Sequence, residues 1–187
     1  MHPSSWRIDH RVADLDAVTK WCHQREKVNR VLFSIRVEKQ RGSWVPMSPT
    51  QLFATQKLLR DYIVDCFLAS GWPGSRIFGA PALIFVAQFH LEVQKLIVKY
   101  GPRFSDWMDP HLPEDLCLFR VGSTHPTLVS VTHECDAWLI TQRPARLMGI
   151  TQSDELPELE QFIFKGKHFC RHWRGKGRFS QQQDRVA

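Results

Sequence analysis

The sequence has no apolar run longer than residues 80–87. A helix needs roughly 20 apolar residues to cross a bilayer, so no membrane-spanning helix is expected and no membrane partner is implied. The opening residues His2, Pro3, Ser4, Ser5, Trp6 and Arg7 are mostly polar and lead into no apolar stretch, which argues against a secretory leader. Cysteine is sparse and unpatterned. Cys22, Cys66, Cys117, Cys135 and Cys170 are odd in number, widely scattered and form no C-x-x-C pair. That excludes a disulfide framework and points to a reducing, cytoplasmic setting. The phosphate-binding G-x-x-x-x-G-K-[ST], the dinucleotide-binding G-x-G-x-x-G and the nucleophile elbow G-x-S-x-G are all missing. Nucleotide hydrolysis, dinucleotide chemistry and α/β-hydrolase chemistry in their usual forms are thereby set aside.

What is present suits a folded chain. The 187 residues are 43% hydrophobic and 24% charged, with seven Trp and twelve Phe. This is an ordinary globular composition, and a chain of this length buries roughly 70% of its unfolded surface. It needs neither metal nor disulfide to fold, and no cofactor is expected. Charge is unevenly placed. Residues 165–187 carry Lys165, Lys167, Arg171, Arg174, Lys176, Arg178 and Arg185 against Asp184 alone, whereas residues 1–164 hold 18 basic and 18 acidic side chains. The whole net charge of +6 therefore sits at the C-terminal end, and the domain division expected is a body over 1–164 and a basic extension over 165–187.

Along the body, residues 14–30 have Leu15, Val18, Trp21, Cys22 and Val28 at helical spacing, with acids early and Arg25, Lys27 and Arg30 late. Phe33, Ile35 and Val37 alternate with polar neighbours as a strand, and after a turn at residues 39–42 a second strand returns over 43–47 at a sheet edge. Ser48, Pro49, Thr50 and Gln51 read as a capping box, with Met47 and Leu52 as a hydrophobic staple. That helix is expected to continue to about Ser70 and to end at Gly71, Pro73 and Gly74. Residues 80–100 fit both a helical stripe and an alternating strand; their length without a turn signal favours a helix ended by Gly101 and Pro102. After a loop over 103–115, residues 116–121, 127–133 and 137–141 read as three short strands, and residues 154–164 as a short helix. The fold expected is α+β, with two or three long helices packed on a small antiparallel sheet and a basic C-terminal tail.

Four groups of residues invite chemistry. In the tail, cations alternate with aromatics and glycines. Lys165, Lys167, Arg171, Arg174, Lys176 and Arg178 can neutralise phosphates while Phe169, Trp173 or Phe179 stack on unpaired bases; the alternative is a solvated tail with its aromatics folded back. A second group comprises His168, Cys170 and His172, with His133 and Cys135 as a similar pair. Alternate residues of an extended segment share a face, so imidazole and thiolate together would suit zinc, although neither set has the spacing of zinc modules. Third, His133, Glu134, Cys135 and Asp136 gather a base, a thiol and two carboxylates. They lack the P-C-x-x-C partner of zinc deaminases, and the simpler reading is a turn with Cys135 in the core and the acids in water. Fourth, Arg120 and His125, with four residues between them, resemble a short motif of helical RNA-cleaving domains, but Gly122 and Pro126 place them in a hairpin.

The function expected from these features is non-enzymatic binding of DNA or RNA, or assembly into a nucleoprotein, through Lys165, Lys167, Arg171, Trp173, Arg174, Lys176 and Arg178. One alternative is a protein–protein interaction module, an inhibitor or adaptor anchored by its aromatics. The other is a His/Cys-dependent enzyme such as a nuclease, working through His133 or the His168 group.

Overall fold

The computed structural model describes residues 4–76, 79–108, 111–143 and 146–154. Among these, the chain runs β1 (Ser4–Ile8), α1 (Leu15–Arg25), β2 (Val28–Gln40), β3 (Ser43–Pro46), α2 (Pro49–Leu59), β4 (Ile63–Ala69), β5 (Gly71–Trp72), β6 (Ser75–Arg76), β7 (Ala82–Gln88), α3 (Leu91–Tyr100), β8 (Glu114–Arg120), β9 (Pro126–Val131), β10 (Asp136–Thr141) and β11 (Ile150–Ser153). One antiparallel sheet takes nine of the strands in the order β11-β1-β10-β9-β8-β2-β7-β4, with β3 on the far end of β2. Strands β5 and β6 form a separate hairpin. No helix of the described residues is long and apolar enough to cross a membrane.

This corrects the expectation of two or three long helices on a small sheet. The three helices have 11, 11 and 10 residues, and the sheet is the dominant element. Each long helix foreseen from the sequence proves to be a shorter helix joined to a strand. The first stops where the Glu26 N–H closes on the Cys22 carbonyl, and Lys27, at φ 55°, turns the chain into β2. In the second, the Tyr62 N–H bonds the Leu59 carbonyl and the β-branched Ile63 and Val64 open β4. Over residues 80–100 both periodicities are real but consecutive: β7 uses the alternation, and α3 uses Val93 and Ile97 as its buried stripe. Strands β1 and β11 were not foreseen. The strand pair β2–β3, the helix start at Ser48 and the three strands β8 to β10 lie where expected. Only half of the capping box forms. Ser48 Oγ accepts the Gln51 N–H at 3.3 Å, while the Gln51 amide turns away and donates to the Leu112 carbonyl at 2.8 Å. Met47 stays exposed. Residues 155–164 of the short terminal helix, and the whole of 165–187, lie outside the described residues.

Both faces of the sheet are buried, and this is why strands read poorly as alternating sequence. On one face, Val31, Phe33, Leu118, Leu128 and Leu139 pack under Leu15, Val18 and Cys22 of α1, Leu58 and Leu59 of α2, and Val93 and Ile97 of α3. Trp107 stacks on Phe33 at 4.9 Å between ring centroids and donates its indole N–H to the Gly101 carbonyl. On the other face, Leu32, Ile84, Val86, Cys117, Phe119 and Val129 are wholly buried, and Trp72 of the β5–β6 hairpin joins them. That hairpin lies close on the sheet. A Cβ on Gly74 would stand 2.7 Å from both Val129 Cγ1 and Val131 Cγ2, at a φ of +79°.

Gly74→Ala is therefore expected to cost about 2–4 kcal/mol of stability through overpacking and backbone strain. Gly42→Ala, at a similar φ of +82° but in open space, is expected to cost only about 1 kcal/mol. Urea denaturation of the two variants reads the difference.

Candidate functional site

The second face ends in a cleft of about 510 Å³ between β2, β8, the β5–β6 hairpin and the turn that follows β9. Its chemistry centres on Asp115. Opposite Leu32 and Ser34 of β2, β8 places one residue too many: Leu32 pairs with Cys117 but Ser34 with Glu114. This is a β-bulge, and Asp115 takes it up in a left-handed conformation, φ 57°. Aspartate tolerates that region better than most residues. The bulge turns the carboxylate into the fold, where it has no solvent exposure.

There the carboxylate is surrounded by donors. Oδ2 accepts the Trp72 indole N–H at 2.9 Å, the Ser34 hydroxyl at 3.2 Å and, more weakly, the Ser75 hydroxyl at 3.5 Å. Oδ1 accepts the Thr132 backbone N–H at 3.0 Å, and the Thr132 hydroxyl accepts the Asp115 N–H in return. A buried carboxylate needs such company, because removing it from water costs several kcal/mol while each charge-assisted hydrogen bond returns about 1.5–3 kcal/mol. His133 lies beside Oδ1, its Nδ1 at 3.7 Å, within ion-pair reach though longer than a hydrogen bond. The short 3-10 turn Thr132–Glu134 sets His133 there, and Cys135 closes the turn at φ 57°.

The imidazole is half-exposed. Asp115, facing Nδ1, holds its pKa above the ordinary 6.5; partial burial and the Arg36 guanidinium pull the other way, and Glu134 adds a smaller upward push. The residue lines the cleft, and its Nε2 lies 3.8 Å from Glu134 Oε1. The Arg36 Nε lies 3.3 Å from Oε2 of the buried Glu114. Arg76 adds a second cation to the cleft wall. Cys117 is sealed beneath Asp115, where burial and the adjacent carboxylate push its thiol far up and make it inert.

This arrangement sets a half-exposed histidine beside a buried carboxylate that raises its pKa, the pairing that acid–base chemistry uses. A metal ion is the competing use. Ligand atoms of Glu114, Asp115 and His133 all lie within 4.8 Å of one another. Yet Asp115 already accepts hydrogen bonds at both oxygens, and Arg36 sits on Glu114, so an ion there would have to displace donors that the buried charge requires. The fit to an acid–base pair is better than the fit to a metal.

Of the residues singled out in the sequence, His133 belongs to this site and Cys135 does not. The two do not share a face, because the turn is not extended. Cys135 is exposed rather than in the core, and it lines a different cleft with Asp136. Cys22, Cys66 and Cys117 are buried free thiols. Arg120 and His125 sit at the β8–β9 hairpin, where Arg120 pairs with the buried Glu26 at 3.4 Å and His125 is exposed, so the helical motif is absent there. Lys165, Lys167, His168, Cys170, Arg171, His172, Trp173, Arg174, Lys176 and Arg178 lie outside the described residues. Sequence reasoning missed Asp115, Ser34, Trp72 and Ser75, which are 40 to 81 positions apart in their pairings. The one local signal was the acidic pair Glu114–Asp115 directly before an apolar strand. No protein-family model, curated protein or solved structure matches the chain.

Because the folded-state pKa of His133 is raised, protonated His133 contributes stability that is fully present below pH 6.5 and is lost as pH climbs through the raised value. Thermal unfolding across pH 5–9 is expected to show that loss in the native chain and not in His133→Gln.

Proposed function

We propose that the protein is an acid–base enzyme of the hydrolytic type, with His133 as the general base and Asp115 as the positioning residue. The observation that carries this reading is the fully buried Asp115 carboxylate, held by four donors in a strained bulge and facing the Nδ1 of a half-exposed histidine. In this scheme Asp115 fixes the tautomer with the proton on Nδ1. Nε2 takes a proton from a water molecule in the cleft as that water attacks a polarised carbonyl or phosphoryl centre, and the imidazolium then returns the proton to the leaving group. The rate should rise with pH as His133 loses its proton, with a midpoint above 6.5.

The test is hydrolysis of a fluorogenic panel of carboxylate and phosphate esters by the native chain, by His133→Gln and by Asp115→Asn. Turnover above buffer is expected, falling about 10²–10⁴-fold in His133→Gln without loss of fold. A panel that stays at the buffer rate throughout, or a His133→Gln variant with native turnover, contradicts the reading.

A second reading rests on a separate observation, the placement of the entire +6 charge in residues 165–187 among aromatics and glycines. On that reading Lys165, Lys167, Arg171, Trp173, Arg174, Lys176 and Arg178 bind the backbone of DNA or RNA, with or without the acid–base site. Fluorescence anisotropy with labelled oligonucleotides should show binding that weakens linearly in log salt and is lost when 165–187 is deleted. Salt-independent binding, or none, overturns it.

A further inference from the structure

A second cleft, of about 910 Å³, opens on the other side of the turn that carries His133. Four separate segments build it: β1 and the loop after it, the short helical turn Phe104–Asp106 with Arg103 before it, Cys135 with Asp136, and Thr151 of β11. Three arginines line it. Arg7 pairs with Asp136 at 2.6 Å. The guanidinium groups of Arg11 and Arg103 have no carboxylate partner among the described residues, although Asp9 is also in the wall.

The backbone under these cations is fixed. The Asp9 carboxylate accepts the Arg11 N–H at 2.9 Å, and the Asp9 carbonyl accepts the N–H groups of Val12 and Ala13. The Asp106 carboxylate accepts the Arg103 N–H at 2.9 Å. Between the two arginine segments lies His10, its ring 5.3 Å from that of the buried Phe104. Both ring nitrogens of His10 are shielded from solvent and have no hydrogen-bond partner among the described residues. Burial, the largest influence, lowers its pKa against the opposing pull of the Asp136 backbone and of the Asp136 and Asp9 charges. Guanidiniums carried on two segments of fixed backbone and converging on one cleft are the chemistry that recognises a tetrahedral oxyanion.

We propose that this cleft binds a phosphate group, free or on a small monoester, between Arg11 and Arg103, with Arg7 at its edge. The site is independent of the acid–base reading.

Cys135 supplies the probe. Among the described residues it is the exposed thiol, at the lip of the cleft, while Cys22, Cys66 and Cys117 are buried. The experiment follows alkylation of Cys135 in the full-length chain by iodoacetamide, with the Cys135 peptide quantified by mass spectrometry. Three arms are run at one ionic strength: sodium chloride, inorganic phosphate and a nucleoside monophosphate. With ligand at about ten times its Kd, mass action lowers the rate about tenfold. Protection by inorganic phosphate supports the site as one for the free ion, and protection by the monophosphate alone supports it as one for an ester. Equal rates in all three arms overturn it. The double variant Arg11→Ala/Arg103→Ala, which changes two exposed side chains, should retain its Tm and lose the protection; protection that persists there also overturns the assignment.

Discussion

A negative charge placed entirely out of water governs this molecule. Asp115 has no solvent exposure, and a carboxylate there is tolerable only while its oxygens are filled by donors. Meeting that demand draws together parts of the chain that share no local sequence. Ser34 comes from the middle of β2, Trp72 and Ser75 from the hairpin, and the Thr132 N–H from the turn after β9. The bulge in β8 and the positive φ of Asp115 are the local expense of aiming the carboxylate inward. Stored strain of this kind persists only when the surroundings over-determine it, and here four donors from three separate segments do so.

The hairpin shows how the requirement spreads into packing. Trp72 serves both the apolar second face and Asp115, since its ring lies with Ile84, Cys117 and Val129 while its N–H donates to Oδ2. Gly74 lets the hairpin come close enough for that N–H to reach, because any side chain at this position would strike Val129 and Val131. The apolar face and the polar cluster are thus one unit. Loosening the hairpin removes a donor from the carboxylate, and His133 then loses the fixed charge that orients it.

Legibility in the sequence followed the range of the forces involved. Turn and cap chemistry acts over a few residues, so the turn at 39–42, the Ser48 cap and the strands β8 to β10 could be read directly. Where helix and strand meet without Gly or Pro, as at Lys27, Tyr62 and Phe89, nothing local marks the change. The strands concerned are apolar on both faces and so lack clean alternation. Strands β1 and β11 exist because Ser5 meets Ser153 and Ile140, contacts that no window along the chain contains. The same holds for the site. His133 could be named from the sequence as a possible base, but its partner could not. Asp115 lay in what read as the end of an acidic loop, and only the β8–β9 pairing brings it to Thr132 and His133. The supposed link of His133 to Cys135 failed because a 3-10 turn and a left-handed residue stand where an extended segment was assumed.

The account stands on the claim that Asp115 sets the tautomer and basicity of His133. Nitrogen-15 NMR of the imidazole, followed through a pH titration in the native chain and in Asp115→Asn, addresses it most directly. The account predicts a neutral ring protonated on Nδ1 with Nε2 bare, a pKa above 6.5 in the native chain, and a fall of that pKa in the variant. A neutral ring protonated on Nε2, or a pKa unmoved by Asp115→Asn, would contradict it.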